Sequence, residues 1–123
     1  MDKNKEAKSI LREYRTLKKE LSEIDIQLNQ FLGLKSNRDM IVYLHTKIKK
    51  KADMCSSIDR CIEILPEKER NVLRYRYILG LPWADVGEKI GYSWAQTYRY
   101  HKKALEIFYE AYIQQNNQKF LKN

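Results

Sequence analysis

Two runs decide the fold of this chain: LPEKERNVLRYRY at residues 65–77 and LPWADVGEKIGYSWAQTYRYHKKALEIF at residues 81–108. Pro66 suits the first position of a helix, and Glu67 and Glu69 are favourable against its N-terminal dipole. That helix carries Val72, Leu73, Tyr75, Tyr77 and Ile78, interleaved with Arg70, Arg74 and Arg76, and Gly80 closes it. Leu81-Pro82 then opens a second helix, Trp83 to Ile90, whose buried side comes from Ala84 or Val86 and from Ile90. Gly87 has no side chain, so a neighbouring helix can approach there. Gly91-Tyr92-Ser93 reads as a turn, with Ser93 capping a third helix that begins at Trp94. No Gly or Pro follows Trp94, so this helix should reach at least Tyr112. Two helices across a tight turn form a helix-turn-helix, whose last helix enters a DNA major groove.

At about 100° per residue, Thr97, Tyr100, His101, Ala104 and Phe108 share one side of the third helix. They should pack on Val86, Ile90 and the VLRYRY helix. The opposite side shows Ala95, Tyr98, Arg99 and Lys102, with Trp94, Gln96 and Lys103 at its edges. Ser93 to Leu105 holds three cations and no carboxylate, so the helix can lie between two phosphate backbones without repulsion. Arg pairs bidentately with guanine and Gln with adenine, while Tyr or Ala meets a thymine methyl. The first turns of a recognition helix go deepest, so the base-contacting candidates are Trp94, Ala95, Gln96, Tyr98 and Arg99. The phosphate-contacting candidates are Ser93, Lys102, Lys103, Arg74 and Arg76.

Each assignment has a plainer counterpart. Seven of the nine tyrosines fall between Tyr75 and Tyr112, and tyrosines at helical spacing often pack at a core edge. Tyr75, Tyr77 and Tyr100 are assigned to packing and Tyr98 to the exposed face. Trp94 can instead cover the apolar seam beside Trp83, and His101 reads as a satisfied buried or boundary histidine. Arg74 and Arg76 either reach phosphates or pair with Glu67 and Glu69.

Upstream, residues 5–32 hold no Gly or Pro. Ile10, Tyr14, Leu17, Leu21, Ile24, Leu28 and Phe31 alternate steps of four and three, an unbroken heptad seam. The seam serves a dimeric coiled coil, a helix folded back on its neighbour in the same chain, or both at once. Gly33 suits a C-cap, and Ser36 or Asn37 an N-cap for a second helix from about Arg38 to Ile64. The short connection between two long helices predicts an antiparallel hairpin. Lys47 to Lys51 is basic except for Ile48; it reads as a solvated face or as a phosphate contact.

The chain has 123 residues, 33% charged and 43% hydrophobic, with a net charge of +8, which fits an anionic partner such as nucleic acid. No apolar run reaches the length of a membrane span, and no signal peptide follows Met1, so a cytoplasmic location is expected. Cys55 and Cys61 on one helix are separated by a rise of about 9 Å, too far for a disulfide, and should be packed thiols. No Ser-His-Asp set, carboxylate pair, metal-ligand cluster or phosphate loop stands out. No enzyme activity, metal or cofactor is expected.

VLRYRY at 72–77, VGEKIG at 86–91 and a Ser93-capped helix closing on Ala104-Leu105 resemble the C-terminal promoter-reading region of bacterial sigma factors. The resemblance covers about residues 65–108, roughly a third of the chain. It implies a sigma-like helix-turn-helix and a DNA partner. Where sigma-like recognition helices usually carry Arg, Glu or Lys, this chain has Trp94, Ala95 and Tyr98, which implies a different target sequence. A long helical N-terminal half before such a module is similar in layout to phage transcriptional regulators of the ArpU and RinA type.

The resulting expectation is an all-α protein: an N-terminal antiparallel helical hairpin or coiled coil at 1–64, a sigma-like helix-turn-helix at 65–113 and a frayed tail at 114–123. Its expected function is sequence-specific binding of double-stranded DNA in transcription regulation of phage or prophage genes, as a homodimer, with RNA polymerase as a further candidate partner. A small terminase-like packaging component, or a polymerase-docking protein with little DNA contact, also fits this layout.

Overall fold

The computed structural model describes residues 2–32 and 38–121, with side chains to Asn117. Helix α1 is Lys3–Phe31, α2 is Arg38–Glu63, α3 is Glu67–Leu73, α4 is Trp83–Ile90 and α5 is Trp94–Leu121. Between α3 and α4 the chain continues as a π-helical turn, Arg74–Ile78. No strand occurs among the described residues.

Helix α1 begins where the Asp2 carboxylate accepts from the Asn4 backbone N–H at 3.0 Å, satisfying one orphan donor of the first turn. Of its seam, Tyr14, Leu17, Ile24 and Leu28 are buried within the chain, and Ile10, Leu21 and Phe31 are half-buried. Tyr14 donates to Asp59 at 3.2 Å, and the Lys51 ammonium pairs with Glu20, so α1 and α2 run antiparallel. Burial and the neighbouring Asp59 carboxylate push the Tyr14 hydroxyl up to about 12. Of the two roles open to the heptad seam, pairing with a helix of the same chain is the one this structure shows. Gly33, Ser36 and Asn37 lie outside the described residues.

The hairpin has two parts. Its base joins the main core, in which Ala7, Leu11, Tyr14 and Leu17 of α1 meet Cys55, Ile58, Cys61 and Ile62 of α2. Leu73, Tyr77, Ala104, Leu105 and Phe108 complete that core, so residues on either side of the junction at 64–65 share it. Its far end is a second, smaller cluster of Ile24, Leu28 and Leu44, flanked by Phe31, Ile41 and Ile48. Ile26, Met40, Val42 and Tyr43 remain exposed on this arm.

Two local expectations are corrected. Pro66 is the residue before α3 rather than its first member; it supplies the carbonyl that the Arg70 N–H reaches at 2.8 Å. The VLRYRY helix does not stay α-helical, because beyond Leu73 the bonds widen to five residues, Leu79 N–H to Arg74 C=O at 2.9 Å. Within this wider turn Tyr77 is buried and Arg76 lies over Trp83. Helix α5, expected to reach at least Tyr112, extends to Leu121, into the segment expected to fray. Gln115 ties this helix to α2: with its amide turned to suit its neighbours, it donates to the Ser57 carbonyl at 3.2 Å and accepts from Arg60 Nε at 3.0 Å.

Candidate nucleic-acid interface

Helices α4 and α5 meet at the turn read from the sequence. Gly91 adopts φ 77° and ends α4, a left-handed conformation that favours glycine. Ser93 then caps α5: its hydroxyl accepts from the Gln96 N–H at 3.2 Å, and its carbonyl accepts from the Thr97 hydroxyl at 2.9 Å. Gly87 is not compelled by close packing. An added Cβ would meet the Tyr92 carbonyl oxygen at 3.9 Å and Thr97 Oγ1 at 4.0 Å, ordinary contacts.

The inner face of α5 is the one its spacing indicates. Thr97, His101, Ala104 and Phe108 are buried and Tyr100 is half-buried, packed on Tyr92. On α4, Val86 is fully buried, while Ala84 is exposed. The Lys68 ammonium lies 5.2 Å from the Tyr92 ring centroid and 5.5 Å from that of Tyr100, tying α3 to the turn and to α5. The Tyr77 hydroxyl and His101 Nε2 share a buried hydrogen bond of 2.8 Å. Burial first, and then the charges of Lys8, Arg76 and Arg12, lower the His101 imidazole to about 4. It is therefore neutral near pH 7, a structural part of the helix-turn-helix rather than one of its cations.

The outer face of α5 carries every base-contact candidate. Trp94, Ala95, Gln96, Tyr98 and Arg99 are all exposed, and so are Ser93, Lys102 and Lys103. Trp94 and Tyr98 are 59% and 55% exposed, an unusual outlay of aromatic surface to water. Trp94 combines its two readings: it is open to solvent and also meets the edge of Trp83, with ring centroids 5.7 Å apart. Trp83 in turn lies 4.6 Å from the His101 ring. The first turn of α5 is thus braced through Trp83 by two edge-to-face aromatic contacts.

The two arginines before the turn separate. Arg74 pairs with Glu63 at the end of α2, not with Glu67 or Glu69. Glu67 is exposed at the start of α3, and Glu69 is buried in its first turn. Arg76 donates to the Leu81 carbonyl at 3.0 Å and lies 4.8 Å from the Trp83 ring centroid. Its charge is held beside the N-terminal end of α4. The site also draws on residues that the reading of 65–108 did not contain. Lys8 and Arg12 of α1 act on His101 together with Arg76. The signal that could have found them is the spacing of cations along α1, away from its apolar seam.

A capped helix with an apolar inner face, a cationic outer face and no outer carboxylate from Ser93 to Leu105, set across a tight turn from a short supporting helix, is a helix-turn-helix. A protein-family model, "Sigma-70, region 4", matches residues 55–106, less than half of the 123-residue chain. A sigma-70 region 4 helix-turn-helix is thus present, and it takes in the last third of α2, then α3, α4 and α5 as far as Glu106. The match points the function toward DNA binding in transcription. No curated protein and no solved structure matches the chain. Among the described residues, no helix is long and apolar enough to cross a membrane.

Proposed function

We propose that this protein is a non-catalytic, cytoplasmic regulator of transcription that binds double-stranded DNA sequence-specifically, acting on phage or prophage genes. One observation carries the reading. The first turns of α5 are exposed on the side that bears Ala95, Tyr98, Arg99 and Lys102, while the opposite side is locked into the core through Thr97, His101, Ala104 and Phe108. Such a helix offers a rigid, cationic, carboxylate-free face to a groove. Arg99, with Trp94, Ala95, Gln96 and Tyr98, reads base edges. Ser93, Lys102, Lys103 and Arg76 hold phosphates, and Arg74 joins them only by leaving Glu63.

The protein acts as a homodimer in this reading. With most of the α1 seam packed within the chain, the two copies meet through the exposed apolar side chains of the arm, Met40, Val42 and Tyr43 among them. RNA polymerase is a second partner, favoured by the sigma-70 region 4 match.

Selection of duplexes from a random pool, followed by anisotropy titration, tests the reading. Arg99→Ala should cost about 1–3 kcal/mol on the selected duplex and relax preference at one base pair. Lys102→Ala should weaken all duplexes alike and lower the salt dependence of binding by about one ion. Equal, salt-insensitive binding by both variants would sink the assignment of this face. A large ring by light scattering, with unselective binding, would favour a DNA-packaging component instead. A chain that binds polymerase and no duplex would favour docking alone.

A further inference from the structure

Helix α1 carries a second basic feature, separate from the recognition helix. Lys8, Arg12, Arg15 and Lys19 follow one another in steps of four, three and four, so they line one stripe of the helix over about 16 Å. Lys5 precedes the stripe, and Ser22 and Glu23 follow it, so the run of cations ends at Lys19. Arg12, Arg15 and Lys19 are exposed and Lys8 is half-buried. Two carboxylates elsewhere on α1 have partners already: Glu6 accepts from the Tyr109 hydroxyl at 2.9 Å, and Glu20 is paired with Lys51. Among the described residues, none of the four stripe cations is in an ion pair.

The stripe is fixed against the helix-turn-helix. Arg12, Arg15 and Thr16 form one wall of a cleft of about 370 Å³, and Arg76, Tyr77 and Gly80 form the other. Gly80 has φ 72°, and the Arg15 guanidinium occupies the space into which a Cβ there would project. Three guanidinium groups therefore share a cleft whose lining contains no carboxylate. The cleft is next to the recognition helix, because Arg76 lies over Trp83 and Trp83 meets Trp94. Like charges gathered without a counter-ion repel one another unless an anion joins them. Guanidinium groups bind phosphate oxygens in a planar, two-pronged way.

We propose that Arg12, Arg15 and Arg76, extended by Lys8 and Lys19, grip the sugar–phosphate backbone of the duplex whose major groove receives α5. This rests on the DNA-binding reading of α5. Helix α1 lies wholly outside residues 55–106, so the grip is an addition made by this chain to the sigma-like module. It positions the module without reading sequence, since phosphate contacts carry no base information.

The test is anisotropy titration of the full chain, from 50 to 200 mM salt, against a duplex selected from a random pool and a scrambled duplex of equal length. The double variant Arg12→Gln/Arg15→Gln should lower the slope of log K against log salt by about 1.8, two contacts at about 0.9 each. At 0.1 M salt that corresponds to a loss of about 60-fold, equal for both duplexes. Arg12→Lys/Arg15→Lys should restore most of the slope, and both variants should keep the circular dichroism and Tm of the parent because the side chains are exposed. Unchanged slope and affinity in the Gln variant overturn the grip while leaving the α5 reading intact. A parent chain that binds neither duplex overturns both.

Discussion

His101 should make this protein lose stability between pH 7 and pH 5, before most carboxylates titrate. The imidazole is 5% exposed and bonded to Tyr77, and burial, aided by Lys8, Arg76 and Arg12, lowers it from 6.5 to about 4. In that interval the unfolded chain binds a proton at His101 and the folded chain does not. Unfolding therefore becomes more favourable as pH falls, and stability rises with pH across the window. At pH 7 the contribution is near zero. At pH 5, integrating between the two values costs the folded state about 2 kcal/mol. Below the folded value the loss levels off at about 3 kcal/mol. Against a total stability of about 5–15 kcal/mol this is a large share. Urea denaturation at pH 7, 6 and 5, on the parent and on His101→Gln, measures it. The glutamine keeps a polar partner for Tyr77 and removes the titration. The other histidine, His45, is exposed on the arm. The parent should fall by about 2 kcal/mol relative to the variant over these two pH units. Parallel curves would refute the argument, because they would mean that His101 protonates equally well in the folded core.

Further outcomes follow from packing. Phe108 is fully buried where α5 crosses the core, so Phe108→Ala should cost about 3–5 kcal/mol in urea denaturation and weaken DNA binding only through unfolding. Gly87→Ala should raise stability by about 0.5–1 kcal/mol, since α4 is helical there and its neighbours leave room for a methyl; DNA affinity should not change. Cys55 and Cys61 are buried and unbridged, and burial raises both thiols. A maleimide should label neither in the native chain and both in denaturant; fast native labelling would contradict the packed base of the hairpin.

Much of the functional region was legible in order along the chain. Gly91 and Ser93 announced the turn and cap, and 3.6-residue spacing separated Thr97, His101 and Phe108 from Ala95, Tyr98 and Arg99. These features depend on a residue and its neighbours within one or two turns. The helix of Arg38 was placed to within a residue for the same reason. Harder to read was the π-helical turn at Arg74–Ile78, because VLRYRY has good α-helical spacing throughout. The widened turn goes with the inward seat of Tyr77, which its bond to His101 fixes from 24 residues away.

By itself, then, the sequence determined the all-α class, the helix ends marked by caps and glycines, and the two faces of α5. Helical periodicity and capping are local, so the chain order contains them. Only the tertiary structure decided that the α1 seam packs on α2, that Arg74 turns to Glu63 and that Arg12 and Arg15 stand across a cleft from Arg76. A heptad seam is equally satisfied by any apolar partner, and an arginine by any carboxylate within reach. Which partner arrives depends on how three long helices cross at the base of the hairpin.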